Sequence, residues 1–162
     1  MSSLRPSLPA RRQHGVALVE ALVAILLLGI GLVGAVAMQA RSYQALADAG
    51  SRAEATIAIE RLVGTMSTDQ ANLASYAMAA GAAEAPERLA AWYTDTQAAI
   101  PGAAVEVAVD SVASTTRTVV TVTIAWRRQG VRSPASVSCP TSGALPAACD
   151  RQAETIYLSQ SV

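Results

Sequence analysis

From Ala21 to Met38 the chain runs through eighteen residues without a charge, and counting back to Val16 only Glu20 interrupts twenty-three. At about 1.5 Å of rise per residue, a helix of that length crosses a hydrocarbon core of roughly 30 Å. The run therefore reads as a membrane segment. A cleaved secretory signal has a shorter apolar core that ends at a small-residue cleavage site. Here the pattern instead continues through Gln39 into an Ala-rich helical stretch, so the segment is expected to be retained. Arg5, Arg11 and Arg12 precede it, and basic flanks favour the cytoplasmic side. Everything after about residue 40 is then expected outside the cytoplasm.

Without residues 1–15 and the span, about 120 residues remain, enough for one modest core. Removing residues 1–15 takes away three Arg and no acid, leaving 9 Arg against 12 Asp and Glu. The remaining chain is slightly acidic, with neither Lys nor Phe. Cys139 and Cys149 flank PTSGALPAA. Outside the cytoplasm, two cysteines closing a short Pro/Gly loop read as a disulfide, worth about 2 to 3 kcal/mol in the chain-entropy model. A metal site lacks ligands: the single histidine, His14, precedes the span, and neither cysteine belongs to a CxxC pair.

Residues 40–66 have helical character, with many Ala, no Pro and an apolar stripe through Leu46, Gly50, Ala53 and Ile57. Asp48 and Arg52 are spaced as an i, i+4 pair. A helix of about 50 residues, roughly 75 Å long, is expected, with Gly50 and Gly64 as weak points. A short second helix is expected from Pro86 to about Ala99, stopped by the IPG at 100–102. The period then becomes two. Val105, Val107 and Val109 alternate with polar or small partners, and so do Val120, Val122, Ile124 and Trp126 after the link SVASTTR. Two half-buried strands so closely joined predict an antiparallel hairpin, with a third short strand at Thr155–Ser159. The expected class is α+β.

RRQHG followed by VALVEALVAILLLGIGLVG resembles the class III signal of type IV pilin-like proteins: a basic leader, Gly15 before the cut, hydrophobic Val16 after it, and Glu20 five positions beyond the cut. The resemblance implies a leader at 1–15 removed by prepilin peptidase and N-methylation of Val16. It also implies a membrane and assembly half-helix at 16–39, its continuation at 40–66, and a small periplasmic α+β domain at 67–162 with a C-terminal disulfide loop. The likeness extends through IERLVGTM to Asn72 and Tyr76, and later to IPG and the strand ending in Trp126. In this it is similar to minor pilins of the PilV type. Val16 replaces the commonest Phe, and Ala37 stands where major pilins carry Pro, which favours a minor pilin or a pseudopilin.

The implied function is to prime or modify a type IV pilus through packing of the N-terminal helix. Implied partners are major and other minor pilins, prepilin peptidase, the inner-membrane assembly platform and membrane lipid. A type II secretion pseudopilin of the I type is the alternative within this class. In another class stands a pilus-tip module binding DNA or a surface through the C-terminal loop and the group of Trp126, Arg127, Arg128 and Arg132. An acidic domain disfavours nucleic acid, and the bland reading of that group is a strand ending in solvent. Trp92 and Tyr93 read as core or helix-sheet contacts. The bland reading of Glu20 is a carboxylate snorkelling at the membrane edge. Gly29, Gly31 and Gly34 suit either close helix packing or local loosening. With no histidine left after cleavage and no paired carboxylates, no catalytic residue, cofactor or metal is expected.

Overall fold

The computed structural model describes residues 14–111, 117–131 and 137–159. The basic leader residues Arg5, Arg11 and Arg12, the centre of the SVASTTR link, and Arg132 lie outside the described residues. Among these residues three helices and three strands follow one another as α1 (His14–Thr68), the 3-10 helix η1 (Gln70–Tyr76), α2 (Glu87–Ala99), β1 (Ala104–Ser111), β2 (Arg117–Arg127) and β3 (Cys149–Ser159). The chain divides into two units at Tyr43 and Gln44.

The first unit contains the N-terminal part of α1. Every described side chain from Val16 to Leu46 is exposed, and the most apolar 18 residues of the helix reach a mean hydropathy of 2.8. Such a surface, apolar on all sides, has its stable partner in hydrocarbon or in other helices.

The second unit carries the core. α1 continues unbroken through Gly50 and Gly64, since two residues at about 1 kcal/mol each do not outweigh packing along its length. It buries Ala55, Ala58, Ile59, Leu62 and Met66. Those positions recur every three or four residues and define one face. The stripe of Leu46, Gly50, Ala53 and Ile57 lies on the opposite side, with Leu46 69% exposed and Ile57 50%. The stripe is present and turns outward. In α2, Pro86 stands just before the first helical residue, and Leu89, Trp92 and Thr96 are buried. The Trp92 indole N–H donates to the Ala58 carbonyl at 2.8 Å, tying α2 to α1.

The sheet has the order β1-β2-β3, antiparallel throughout. Val105 pairs with Ile124, Val107 with Val122 and Val109 with Val120. The register places both valine sets on one face, against the helices, as period-two alternation requires. β3 begins at Cys149, six residues before the strand expected at Thr155, because it pairs with β2 as far as Arg127. Its CDRQAET segment is polar and lacks the alternation that marks a buried strand. On the outer side of β1, Met78 and Val107 exchange two backbone bonds of 2.9 Å.

A disulfide joins Cys139 and Cys149, whose Cα atoms are 5.5 Å apart. The loop it closes lies over the other face of the sheet: Arg151, opposite Ala125, donates to the Gly143 carbonyl at 3.3 and 3.4 Å, and just before the loop the Val137 carbonyl accepts from Arg127 at 2.7 Å. Beneath it Ala125 and Thr123 are buried.

Candidate assembly helix and processing junction

Gly15, Val16 and Glu20 lie in the opening turns of α1. Val16 and Glu20 are exposed, and Glu20 makes no ion pair among the described residues. Four residues apart on a helix, they share one side, with Cβ atoms about 5 to 6 Å from each other. Hydrolysis of the Gly15–Val16 peptide bond would leave an ammonium on Val16 one turn from the Glu20 carboxylate. A carboxylate in an apolar span costs about 2.5 to 3.5 kcal/mol on insertion scales, so a nearby cation changes its energetics materially.

The small residues Gly29, Gly31 and Gly34 leave open backbone surface, with no atom close to where a Cβ would stand. With Ile25, Leu26, Ile30 and Val33, Gly29 lines a shallow apolar face.

Residues 10–36 match the family model of the prokaryotic N-terminal methylation motif. The match contains Gly15, Val16 and Glu20. It supports a pilin-like or pseudopilin protein, a structural kind of protein that interacts with other pilins and with prepilin peptidase, anchored in the membrane through its N-terminal helix. No curated protein and no solved structure matches the chain.

The Trp126 group takes a different form from the one a nucleic-acid contact needs. Trp126 is only 2% exposed, so no base can stack on it. Arg128 donates through Nε and Nη2 to Asp48 Oδ2, both at 3.2 Å. Asp48 and Arg52 do not pair with one another, contrary to their helical spacing. Arg52 instead reaches Asp150 at 2.7 Å.

A polar cluster at the end of α1 carries no sequence signal beyond Asn72 and Tyr76. Asp69 accepts from Asn72 Nδ2 at 2.6 Å, from the Tyr76 hydroxyl at 2.9 Å and from Arg88 Nη1 at 2.6 Å. The Arg88 guanidinium also lies over the Tyr76 ring, 6.0 Å from its centroid. The bond from Asn72 foremost, then that from Tyr76, hold the Asp69 carboxyl below its ordinary 3.8 against an opposing effect of burial, with the charge of Arg88 adding least. Burial foremost, then the bond to Asp69, raises the Tyr76 phenol above its ordinary 10.0. The cluster fixes η1 and α2 to the end of α1. Asp69 accepts from three of its members at once, which suits a structural joint. Among the described residues, no group of three or more His, Cys, Asp or Glu is placed to hold a metal ion.

Proposed function

We propose that the chain is a minor pilin of the PilV type that primes or modifies a type IV pilus. In this reading prepilin peptidase cuts between Gly15 and Val16, and Val16 is N-methylated. The span waits in the inner membrane with residues 67–162 in the periplasm, then packs against helices of other pilins at the assembly platform. The observation that carries the reading is the N-terminal methylation motif at the head of a helix whose side chains from Val16 to Leu46 are exposed. The outward stripe of Leu46, Gly50, Ala53 and Ile57 supports it, because it extends an apolar contact surface beyond the span.

Glu20 is then an assembly residue: its carboxylate meets the Val16 ammonium of a neighbouring subunit. Opposite charges about 4 Å apart attract by roughly 4 kcal/mol at an effective dielectric near 20, before desolvation is subtracted. Glu20→Ala or Glu20→Leu makes the span more apolar, so insertion and cleavage continue. Incorporation into pili and recovery of partner pilins by pulldown should fall about tenfold or more, a loss of about 1.4 kcal/mol or greater. Assembly at the wild-type level would reduce Glu20 to an interfacial carboxylate.

A further inference from the structure

Between Gln44 and Glu54, α1 meets the sheet without contributing any apolar side chain to the core; the first α1 residue of the buried set is Ala55. The contacts along this stretch are polar. Asp48 accepts from Arg128 and, through Oδ1, from the Gln129 backbone N–H at 3.1 Å. One turn later Arg52 holds Asp150. Gly130, with φ of +79°, lies so near Gln44 that a Cβ there would come within 2.6 Å of that side chain. On the helix-facing side of β3, residues paired with Trp126, Ile124 and Val122 are Asp150, Gln152 and Glu154, so the sheet offers no apolar surface from that strand at this end.

The charge order is complementary. The helix presents minus then plus at Asp48 and Arg52, and the sheet answers plus then minus at Arg128 and Asp150. Sliding α1 by one turn in one direction sets Arg52 against Arg128. Sliding in the other sets Asp48 against Asp150. Either displacement replaces an attraction with a repulsion. Arg52 is exposed and Arg128 half-buried, while Asp48 and Asp150 keep 15% and 17% of their side-chain surface exposed, so each pair opens to solvent from its arginine side and high salt weakens it there.

We infer that residues 44–54 of α1 form a releasable register lock: a polar strap that parts from the sheet and re-engages in one register, while the apolar face from Ala55 to Met66 stays seated. Its use during filament assembly rests on the function proposed above. Its existence does not, and a measurement on the isolated full-length chain separates the two.

The test is spin-label distance measurement on oxidised full-length protein in detergent micelles. One pair, Ala49→Cys with Ala153→Cys, reports on the strap. A second, Glu60→Cys with Ala153→Cys, reports on the seated part, and all three sites are exposed. Raising NaCl from 0.05 to 1 M shortens the screening length to about 3 Å. The 49–153 distribution should then gain a longer component amounting to about a tenth of molecules or more, with the 60–153 distribution unchanged. Asp48→Asn combined with Asp150→Asn should produce the longer component already at low salt. The salt series on the charged protein stands alone if that variant fails to fold. A 49–153 distribution that salt leaves unaltered overturns the inference, as does a 60–153 distance that shifts with it.

Discussion

Removing the disulfide tests how the C-terminal loop is held. The bridge closes a loop with a sequence separation of 10. The chain-entropy relation gives a loss of about 2.7 kcal/mol at 25 °C for a ring of that size when both cysteines become alanine. For a folded unit of about 120 residues, each kcal/mol shifts the midpoint by about 4 °C, so the expected fall in Tm is on the order of 10 °C. The hydrogen bonds from Arg151 to the loop and from Arg127 to Val137 just before it do not replace the bridge, because they constrain the folded chain and leave the unfolded one free. The assay is thermal unfolding of the full chain in detergent, followed by the fluorescence of Trp92 and Trp126, both buried. Reduced wild-type protein should unfold near the double alanine variant. A shift under about 3 °C for both would refute the reasoning, since it would mean that the bridge restrains little that the loop does not already restrain.

Leu62→Ala should cost about 2 to 5 kcal/mol, because Leu62 is a large side chain at 1% exposure. Leu46→Ala, on the outward side of the same helix, should change stability by less than about 0.5 kcal/mol while lowering incorporation into pili; denaturant midpoints and pilus counts separate the two. The Asp69 cluster gives stability a defined pH dependence. The lowered Asp69 value means that its contribution is complete above 3.8 and disappears as pH falls through the folded value below it. The raised Tyr76 value means the reverse at the other end: its contribution is complete below 10.0 and disappears as pH rises through the folded value. Urea midpoints across both limbs should show each decline, and Tyr76→Phe should abolish the alkaline one and weaken the acid one.

Features carried by local pattern were legible in the sequence. The eighteen-residue run, the period-two valines, Pro86 with the IPG stop, and the short spacing between Cys139 and Cys149 each state their local structure directly. The inward face of α1 was not legible, for a physical reason. An Ala-rich helix with apolar positions on two sides satisfies the same periodicity twice. Leu46, Gly50, Ala53 and Ile57 satisfy it on one side, whereas packing chose the other, through Ala55, Ile59, Leu62 and Met66. Asp48 and Arg52 likewise have a good local partner in each other. The structure gives them Arg128 and Asp150, 80 and 98 residues distant. Helical spacing records only neighbours along the chain, so it carries no trace of these pairs. The early part of β3 escaped because an outer strand that meets the helix through polar contacts has no need of apolar alternation. At the proposed processing junction the situation is reversed: Gly15, Val16 and Glu20 are read from the order of residue types, and the fold adds the one-turn spacing between Val16 and Glu20.

The account depends on the Gly15–Val16 junction being a processing site, and the mass of the N-terminal peptide tests this most directly. Protein extracted from the membrane of a cell with active prepilin peptidase, digested and analysed by mass spectrometry, should begin at Val16 with one added methyl group on its amino nitrogen. A stable chain still carrying residues 1–15 in that cell, or one beginning at another residue, would contradict the assignment of the helix to assembly.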